Sequence, residues 1–348
     1  MRSSWIVSLV IVSAVLFAGT TAQAHTWTNV TEGNWNVPGN WLEGTLPASS
    51  VVIDNNGVCN VDSAGLPNIT TLALRKNSIL NFLPGAALTG TGANNWLVGD
   101  ADTGLTARVN QTGGTIVTGL DLYLGDDPFT SGEYIMSGGS LTVGDDLKCA
   151  DDGGGKFVLS GNALFTVKGY ISISNKPPEV PSDGLTGYME ISGGTLIQNA
   201  TSTDGSDNHR ITVGESDYGV LKLIGGLATI NVTTYEQRAT GLLDVVMNGT
   251  GISTINASEG MALAGTLAVS FAPGDAPAPG IYDLIVAQGT RTGSFGTVTL
   301  PPDVTLSYET GSSIVRLTVV PEPSTVLLAV VGGACLIPLW LRRRKGAR

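Results

Sequence analysis

The feature that most constrains the fold is a phrase that recurs five times: apolar alternation, a Ser/Thr-Gly-Gly corner or a close variant, and a second alternation. The first glycines of the phrase stand at positions 113, 138, 161, 193 and 225, with intervals of 25, 23, 32 and 32 residues. Such a period indicates a repeat architecture whose units bury their apolar faces only by stacking. Glycine, which tolerates the positive φ of a sharp corner, occupies 47 of the 348 positions.

Each repeat contains about three short strands. In the second unit they lie at 134–136, 141–143 and 147–149, each with period-2 apolar spacing or a short β-rich run. Three strands in roughly 24 residues form one coil of a parallel β-helix, and equivalent strands then stack about 4.8 Å apart. The sequence therefore predicts an all-β chain built around a parallel β-helix, a β-solenoid. The alternative, an antiparallel sandwich with Gly-rich hairpins, predicts no fixed repeat phase.

The first 24 residues have the composition of a secretory signal peptide. Arg2 precedes an apolar run, and Ala22-Gln23-Ala24 follows it as a small-residue cleavage site. We expect the mature chain to begin at His25. A membrane anchor is the alternative, although the run is short for a bilayer.

The C-terminal segment 320–348 has three parts in a fixed order. They are the triplet Pro321, Glu322 and Pro323, an uncharged apolar stretch over 325–341, and a basic cluster of Arg342, Arg343, Arg344 and Lys345. The apolar stretch has the minimum length of a transmembrane helix, and the positive-inside rule keeps the basic cluster in the cytoplasm.

This tripartite tail resembles the PEP-CTERM sorting signal of Gram-negative bacteria that make extracellular polysaccharide. The resemblance implies that a membrane transpeptidase of the exosortase type recognises and removes the tail, which anchors the chain in the membrane until then. A plain C-terminal anchor is the alternative, and both interpretations place the body of the protein outside the cytoplasm.

The two ends hide how acidic the body is. The whole chain has 18 basic and 29 acidic residues. Six basic residues and one acidic residue lie in the two ends, so residues 25–319 carry 12 basic and 28 acidic residues. Nucleic-acid binding needs Lys and Arg to displace counterions, so this charge argues against it. An acidic exported surface instead favours solubility or cation binding.

Acidic residues follow the third strand of successive coils. They are Asp100 and Asp102, Asp126 and Asp127, and Asp151 and Asp152. Stacking would bring their carboxylates together along one edge, where they could bind Ca²⁺, which takes six to eight oxygen ligands. The alternative is that Asp and Gly are simply good turn residues. We predict no cofactor apart from this candidate calcium site.

Two inserts, at 174–185 and 199–210, lengthen the later intervals. The second carries the densest cluster of ionisable groups, Asp204, Asp207, His209 and Arg210. A polysaccharide hydrolase needs two carboxylates about 5–10 Å apart, one of them with a raised pKa, and adjacent aspartates in wet turns do not meet that need. We therefore expect no catalytic residues; a polysaccharide lyase or hydrolase on the β-helix scaffold is the alternative.

The flanks of the repeats favour caps. Trp27, Trp35 and Trp41 are expected to fill a small core beneath the first coil. The "GNW…PGNW" opening and the "GxYxLI…GxFGxVxLP" ending resemble exported bacterial proteins with autotransporter-like β-strand repeats. The predicted organisation is a signal peptide at 1–24, an N-terminal β cap at 25–90, coils at 91–260, a C-terminal β segment at 261–319 and the sorting tail at 320–348.

These observations together predict an exported, non-catalytic protein of the cell surface or extracellular matrix, structural or adhesive in kind. Its expected partners are the exosortase-type transpeptidase and extracellular polysaccharide. A calcium-dependent adhesin is a further alternative. Cys59 and Cys149 could meet an oxidising compartment, and the sequence leaves their pairing open.

Overall fold

The computed structural model describes residues 24–92, 94–101, 103–175, 186–199, 209–309 and 313–321. The predicted signal peptide and the predicted transmembrane stretch at 325–341 lie outside these ranges. Within them, no helix has the length and apolar character needed to cross a bilayer.

The described chain is a succession of short strands with one 3-10 helix at Pro38–Asn40. The N-terminal strands are β1 His25–Thr26, β2 Glu32–Asn34, β3 Val51–Ile53, β4 Val58–Val61, β5 Leu72–Leu74, β6 Ile79–Phe82, β7 Ala87–Thr89, β8 Trp96–Val98, β9 Thr106–Gln111 and β10 Thr115–Val117. The central strands are β11 Leu122–Leu124, β12 Ser131–Met136, β13 Ser140–Val143, β14 Leu147–Cys149, β15 Gly154–Leu159, β16 Leu164–Val167, β17 Ile171–Ile173, β18 Gly187–Ile191, β19 Thr195–Gln198, β20 Ile211–Val213 and β21 Gly219–Ile224. The C-terminal strands are β22 Thr229–Val232, β23 Tyr235–Gln237, β24 Gly241–Met247, β25 Ile255–Ala257, β26 Met261–Leu263, β27 Thr266–Phe271, β28 Gly280–Ala287, β29 Arg291–Gly293, β30 Thr297–Thr299, β31 Val304–Tyr308 and β32 Ile314–Val319.

The strands form three parallel sheets that wind into a β-solenoid of about nine turns. From β7 onward each central coil contributes one strand to each sheet, as β12, β13 and β14 do, whereas β1 to β6 belong only to the first and third sheets. The first sheet runs β2-β4-β6-β9-β12-β15-β18-β21-β24-β27-β30, the second β7-β10-β13-β16-β19-β22-β25-β28-β32-β31, and the third β1-β3-β5-β8-β11-β14-β17-β20-β23-β26-β29. The predicted parallel β-helix with three strands per coil is thus confirmed.

The core is a continuous column of inward side chains, because alternate residues of every strand point to the axis. Equivalent positions stack in register, as in the series Leu122, Leu147 and Ile171 of the third sheet. Phe157 stacks between the rings of Tyr134 and Phe165, with ring centroids 5.5 and 4.3 Å away. Each coil therefore buries its apolar face against its neighbours.

The Gly-Gly phrase marks the corner between the first and second sheets. Gly139 has a φ of 74°, and a Cβ built there would lie 2.4 Å from the carbonyl oxygen of Gly114 in the preceding coil. Only glycine fits a corner that combines this backbone conformation with so close an approach.

Parallel stacking extends beyond 91–260 in both directions. At the N-terminal end, β3 pairs with β5 and β4 with β6, both in parallel. These coils lack the Gly-Gly phrase, and Asn56 and Lys76 adopt positive φ there. At the C-terminal end β29 and β30 also pair in parallel, whereas β32 pairs antiparallel with both β28 and β31.

The three N-terminal tryptophans form the predicted small core. Trp41 packs edge-on against both Trp27 and Trp35, with centroid distances of 5.0 and 4.9 Å. Its Nε1 donates a hydrogen bond of 2.8 Å to the carbonyl oxygen of Trp35. All three side chains are buried, so they close the end of the column rather than face a ligand.

Candidate functional site

The third sheet gathers most of the ionisable groups singled out in the sequence. Its strands are only two or three residues long, so the corners on either side stay close to one another in every coil. The N-terminal half of this face is acidic. The C-terminal half has paired charges and borders a groove.

The acidic corner after the third strands brings some of the predicted aspartates together. Oxygen atoms of Asp100, Asp126 and Asp127 all lie within 4.8 Å of one another. Arg75 neutralises part of this charge, with its Nη2 2.7 Å from Asp100 Oδ2. Asp127 Oδ2 accepts a hydrogen bond of 2.9 Å from the backbone N–H of Ala101.

Asp126 is the most perturbed member of this group. Burial, and then the like charges of Asp151, Asp100, Asp127 and Asp152, raise the pKa of Asp126 to about 7. The carboxyl group of Asp126 is therefore partly protonated near neutral pH. Stacking supplies the like charges, because three successive coils place aspartates at this corner.

The other predicted aspartates have separate surroundings. Asp151 accepts a hydrogen bond of 2.6 Å from Asn175 Nδ2 and lies 3.8 Å from Lys148 Nζ. Asp152 lies at the same corner and also interacts with neighbouring groups. Asp102 lies outside the described residues.

A second carboxylate group precedes the third strands and was not predicted. Asp121, Asp145 and Asp146 have oxygen atoms within 4.8 Å of one another. Burial, and then the like charges of Asp121 and Asp145, raise the pKa of Asp146 to about 7. A hydrogen bond from the backbone N–H of Tyr170 opposes this shift. The available signal was the 25-residue spacing of Asp121 and Asp146, each directly before a leucine of a third strand.

Either carboxylate group has the donor atoms that Ca²⁺ prefers. Three clustered carboxylates are nevertheless fewer ligands than the six to eight oxygens of a typical calcium site. The calcium site at Asp100, Asp102, Asp126, Asp127, Asp151 and Asp152 therefore stays a prediction. A chelator that lowers the melting temperature would support it, since a ligand bound only to the folded state stabilises that state.

The C-terminal half of the face holds a network of paired charges. Arg238 Nε lies 2.7 Å from Glu236 Oε1, and its Nη1 donates a hydrogen bond of 2.9 Å to the carbonyl oxygen of Glu215. Arg210 Nε lies 3.0 Å from Glu236 Oε2, and its guanidinium sits over the ring of Tyr170 at 5.5 Å. These residues come from three successive coils.

Tyr170 does not have the properties of a catalytic base. Its hydroxyl donates a hydrogen bond to Glu215, and Ser172 Oγ donates another of 2.8 Å to the same carboxylate. Burial first, and then Glu215, raise the pKa of Tyr170 above its ordinary value. A base must readily accept a proton near the working pH, whereas this phenol retains its own.

A groove adjoins this network where the second sheet turns into the third. One part, about 530 Å³, is lined by Asn231, Asn256, Gln288 and Glu259 among others. Another part, about 320 Å³, is lined by His209, Arg210, Glu236 and Glu259 among others. Glu259 lines both parts, which therefore lie side by side; we call the two parts together the Glu259 groove.

Two residues of the predicted second-insert cluster border this groove. His209 lines the smaller part, and its Nε2 is buried without a hydrogen-bond partner among the described residues. Arg210 lies beside it, paired with Glu236. Asp204 and Asp207 lie outside the described residues. The sequence did not predict the amide side chains of the groove, because they come from different coils.

Cys59 and Cys149 are both free thiols, and both are buried in the core.

The chain matches no protein-family model, no curated protein and no solved structure at the thresholds used for such matches.

Proposed function

We propose that the protein is an exported, non-catalytic rod of the cell surface or extracellular matrix, structural or adhesive in kind, which associates with exopolysaccharide. The observation that carries the proposal is the uninterrupted column of buried side chains through about nine turns. A solenoid of this kind is a stiff spacer with a long lateral surface.

The outer faces support a structural role because their charges pair along the rod. Arg108 Nη2 lies 2.6 Å from Glu133 Oε2 in the next coil, and Lys222 Nζ lies 3.7 Å from Asp244 Oδ2. The network of Tyr170, Glu215 and Arg238 similarly ties neighbouring coils together. These ionisable groups satisfy one another rather than converge on an open reaction centre.

The sequence signals at both ends support export. Strand β32 ends at Val319, directly before the Pro321-Glu322-Pro323 triplet. The last described strand thus ends next to the predicted sorting tail, which suits recognition by an exosortase-type transpeptidase. Association with the membrane would last until the tail is removed.

Cell fractionation with peptide mapping tests the proposal. We expect the body in the cell envelope or medium, without residues 1–24 and without an intact tail. A variant lacking residues 321–323 should retain its tail and accumulate in the membrane. Full-length protein in the cytosol would overturn the proposal.

A second experiment separates the rod from a polysaccharide-acting enzyme. The purified protein is incubated with a panel of polysaccharides, with and without Ca²⁺, and new reducing or unsaturated ends are measured. We expect no turnover. Turnover abolished by His209→Ala or Asp204→Asn would identify the protein as a lyase or hydrolase instead.

A further inference from the structure

The Glu259 groove has the chemistry of a carbohydrate site. We propose that it binds a segment of a neutral, hydroxyl-rich glycan chain. The inference rests on the proposed function and gives its polysaccharide contact a definite place on the rod.

The exposed lining consists mainly of groups that bind hydroxyls. Asn231, Asn256 and Gln288 are exposed amides, a group that donates and accepts hydrogen bonds, while the exposed carboxylate of Glu259 accepts them. Asn256 Nδ2 already donates to the carbonyl oxygen of Ile230 at 3.3 Å and to Asn231 Oδ1 at 3.4 Å, which orients both amides and leaves the Asn256 oxygen and the Asn231 nitrogen for a ligand. A sugar hydroxyl likewise both donates and accepts. Asn231 and Asn256 are register partners in adjacent coils, so they present similar groups about 4.8 Å apart.

The inner wall of the groove is held in place before any ligand arrives. Gln198 is buried, its Nε2 donates a hydrogen bond of 2.7 Å to the carbonyl oxygen of Gly169, and its Oε1 accepts one of 2.8 Å from the N–H of Thr233. One amide thus links three successive coils. A rigid wall reduces the entropy lost on binding.

Other classes of ligand fit the groove poorly. A peptide could not add as a strand, because Asn256 already pairs with Asn231 on one side and Val286 on the other. Nucleic acid needs basic side chains, but Glu236 and Glu259 are acidic and Arg210 is already paired with Glu236. The carboxylate of Glu259, which has no salt-bridge partner among the described residues, disfavours an anionic glycan, so the occupant should be neutral.

The shape of the groove favours a chain over a single small molecule. Its two parts lie on either side of Glu259, one beside the amide ladder of the second sheet and the other beside Arg210 at the third sheet. A ligand that contacts Asn231 and His209 together must cross the corner between the two sheets.

Calorimetric titration of the full chain in mild detergent tests this inference. The probes are cellohexaose, maltohexaose and xylohexaose, with the anionic hexamer of galacturonic acid for comparison. At least one neutral hexasaccharide should bind more tightly than the anionic one. Asn256→Ala and Glu259→Ala should each weaken that binding about fivefold or more, the loss expected for one hydrogen-bonding group.

Thr142→Ala is the matched control. Thr142 belongs to the same outward ladder as Asn256, through the series Thr142, Thr166, Ile197, Asn231 and Asn256, but lies four coils away, about 19 Å. It should bind as the parent does. Melting temperatures of all three variants, expected within a few degrees of the parent, show that the fold is retained.

Three results would overturn the inference: no binding of any neutral hexasaccharide, tighter binding of the galacturonic hexamer, or unchanged binding by both groove variants. These results are distinct from failure of the proposed function. If the protein is exported and processed but binds none of these sugars, the glycan site is contradicted and the proposed function stands. If the protein is unprocessed and cytosolic, the proposed function itself is contradicted.

Discussion

The hydroxyl of Tyr170 donates a hydrogen bond to the carboxylate of Glu215 in the next coil. Tyr170 directly precedes β17 and Glu215 follows β20, and these two strands are paired in the third sheet. A side-chain bond therefore reinforces the backbone ladder between two coils, close to the positions where both inserts depart.

Removing this hydroxyl should loosen the contact between the two coils. Tyr170→Phe is expected to lower the free energy of unfolding by about 1–2 kcal/mol, since Glu215 loses one buried donor but keeps Ser172 and Arg238. Chemical denaturation measures the change. Tyr218→Phe, at a side chain that is 45% exposed, is the control and should leave stability unchanged; equal effects in both variants would contradict the assigned role.

Stability should fall as pH rises through neutrality. The folded state raises the pKa of Asp126 and that of Asp146 to about 7, so it binds more protons than the unfolded state between about pH 4 and 7. The stabilising effect is complete below the unfolded pKa and is lost as pH passes the folded one. The melting temperature in chelator should therefore decrease from pH 5 to pH 8.

Matched variants assign this slope to the carboxylates. Asp126→Asn should flatten the pH dependence, because the amide carries no charge at any of these pH values. Asp275→Asn, which removes an exposed carboxylate far from both groups, should leave it unchanged. A melting temperature that rises with pH in the parent protein would contradict the assignment.

The glycine corner separates two physical effects on stability. Gly104 and Gly139 have nearly equal φ values of 75° and 74°, but a Cβ at Gly104 meets nothing within 4 Å. Gly104→Ala should therefore lose about 1 kcal/mol through backbone conformation alone. Gly139→Ala adds a clash with the neighbouring coil and should lose about 2–5 kcal/mol. Equal losses, measured by denaturant unfolding, would show that the corner can relax.

The two buried thiols should react only when the rod opens. Burial raises the pKa of Cys149 to about 12 and holds that of Cys59 well above its usual range, and the thiolate is the reactive form. Alkylation followed by peptide mass spectrometry should show slow labelling at both positions. Ser258→Cys, at an exposed position, should react within minutes; equally fast labelling of Cys149 would contradict its burial.

The repeat phase predicted the fold because a parallel coil needs a corner residue at a regular interval. Gly114, Gly139 and Gly194 follow that rule and have positive φ. The earliest coils were not recognised as coils because Asn56 and Lys76 adopt positive φ there without glycine. A non-glycine residue in this conformation leaves no pattern that sequence alone reveals.

The candidate sites were predictable only where one coil repeats the next. Asp100, Asp126 and Asp127 follow third strands, so stacking alone brings them together. The Glu259 groove could not be predicted, since Asn231 and Gln288 reach the same groove only when winding stacks their coils, with the coil of Asn256 between them. Their separation in the chain carries no signal of that proximity.

The position of β32 has a mechanical consequence. This strand lies between β28 and β31, antiparallel to both, and it is the last strand among the described residues. A pull transmitted from the C-terminal end would therefore enter a central strand, with hydrogen bonds on both flanks loaded in shear at the same time. The hydrogen bonds of β32 would then have to break together, whereas those of an edge strand could break one at a time.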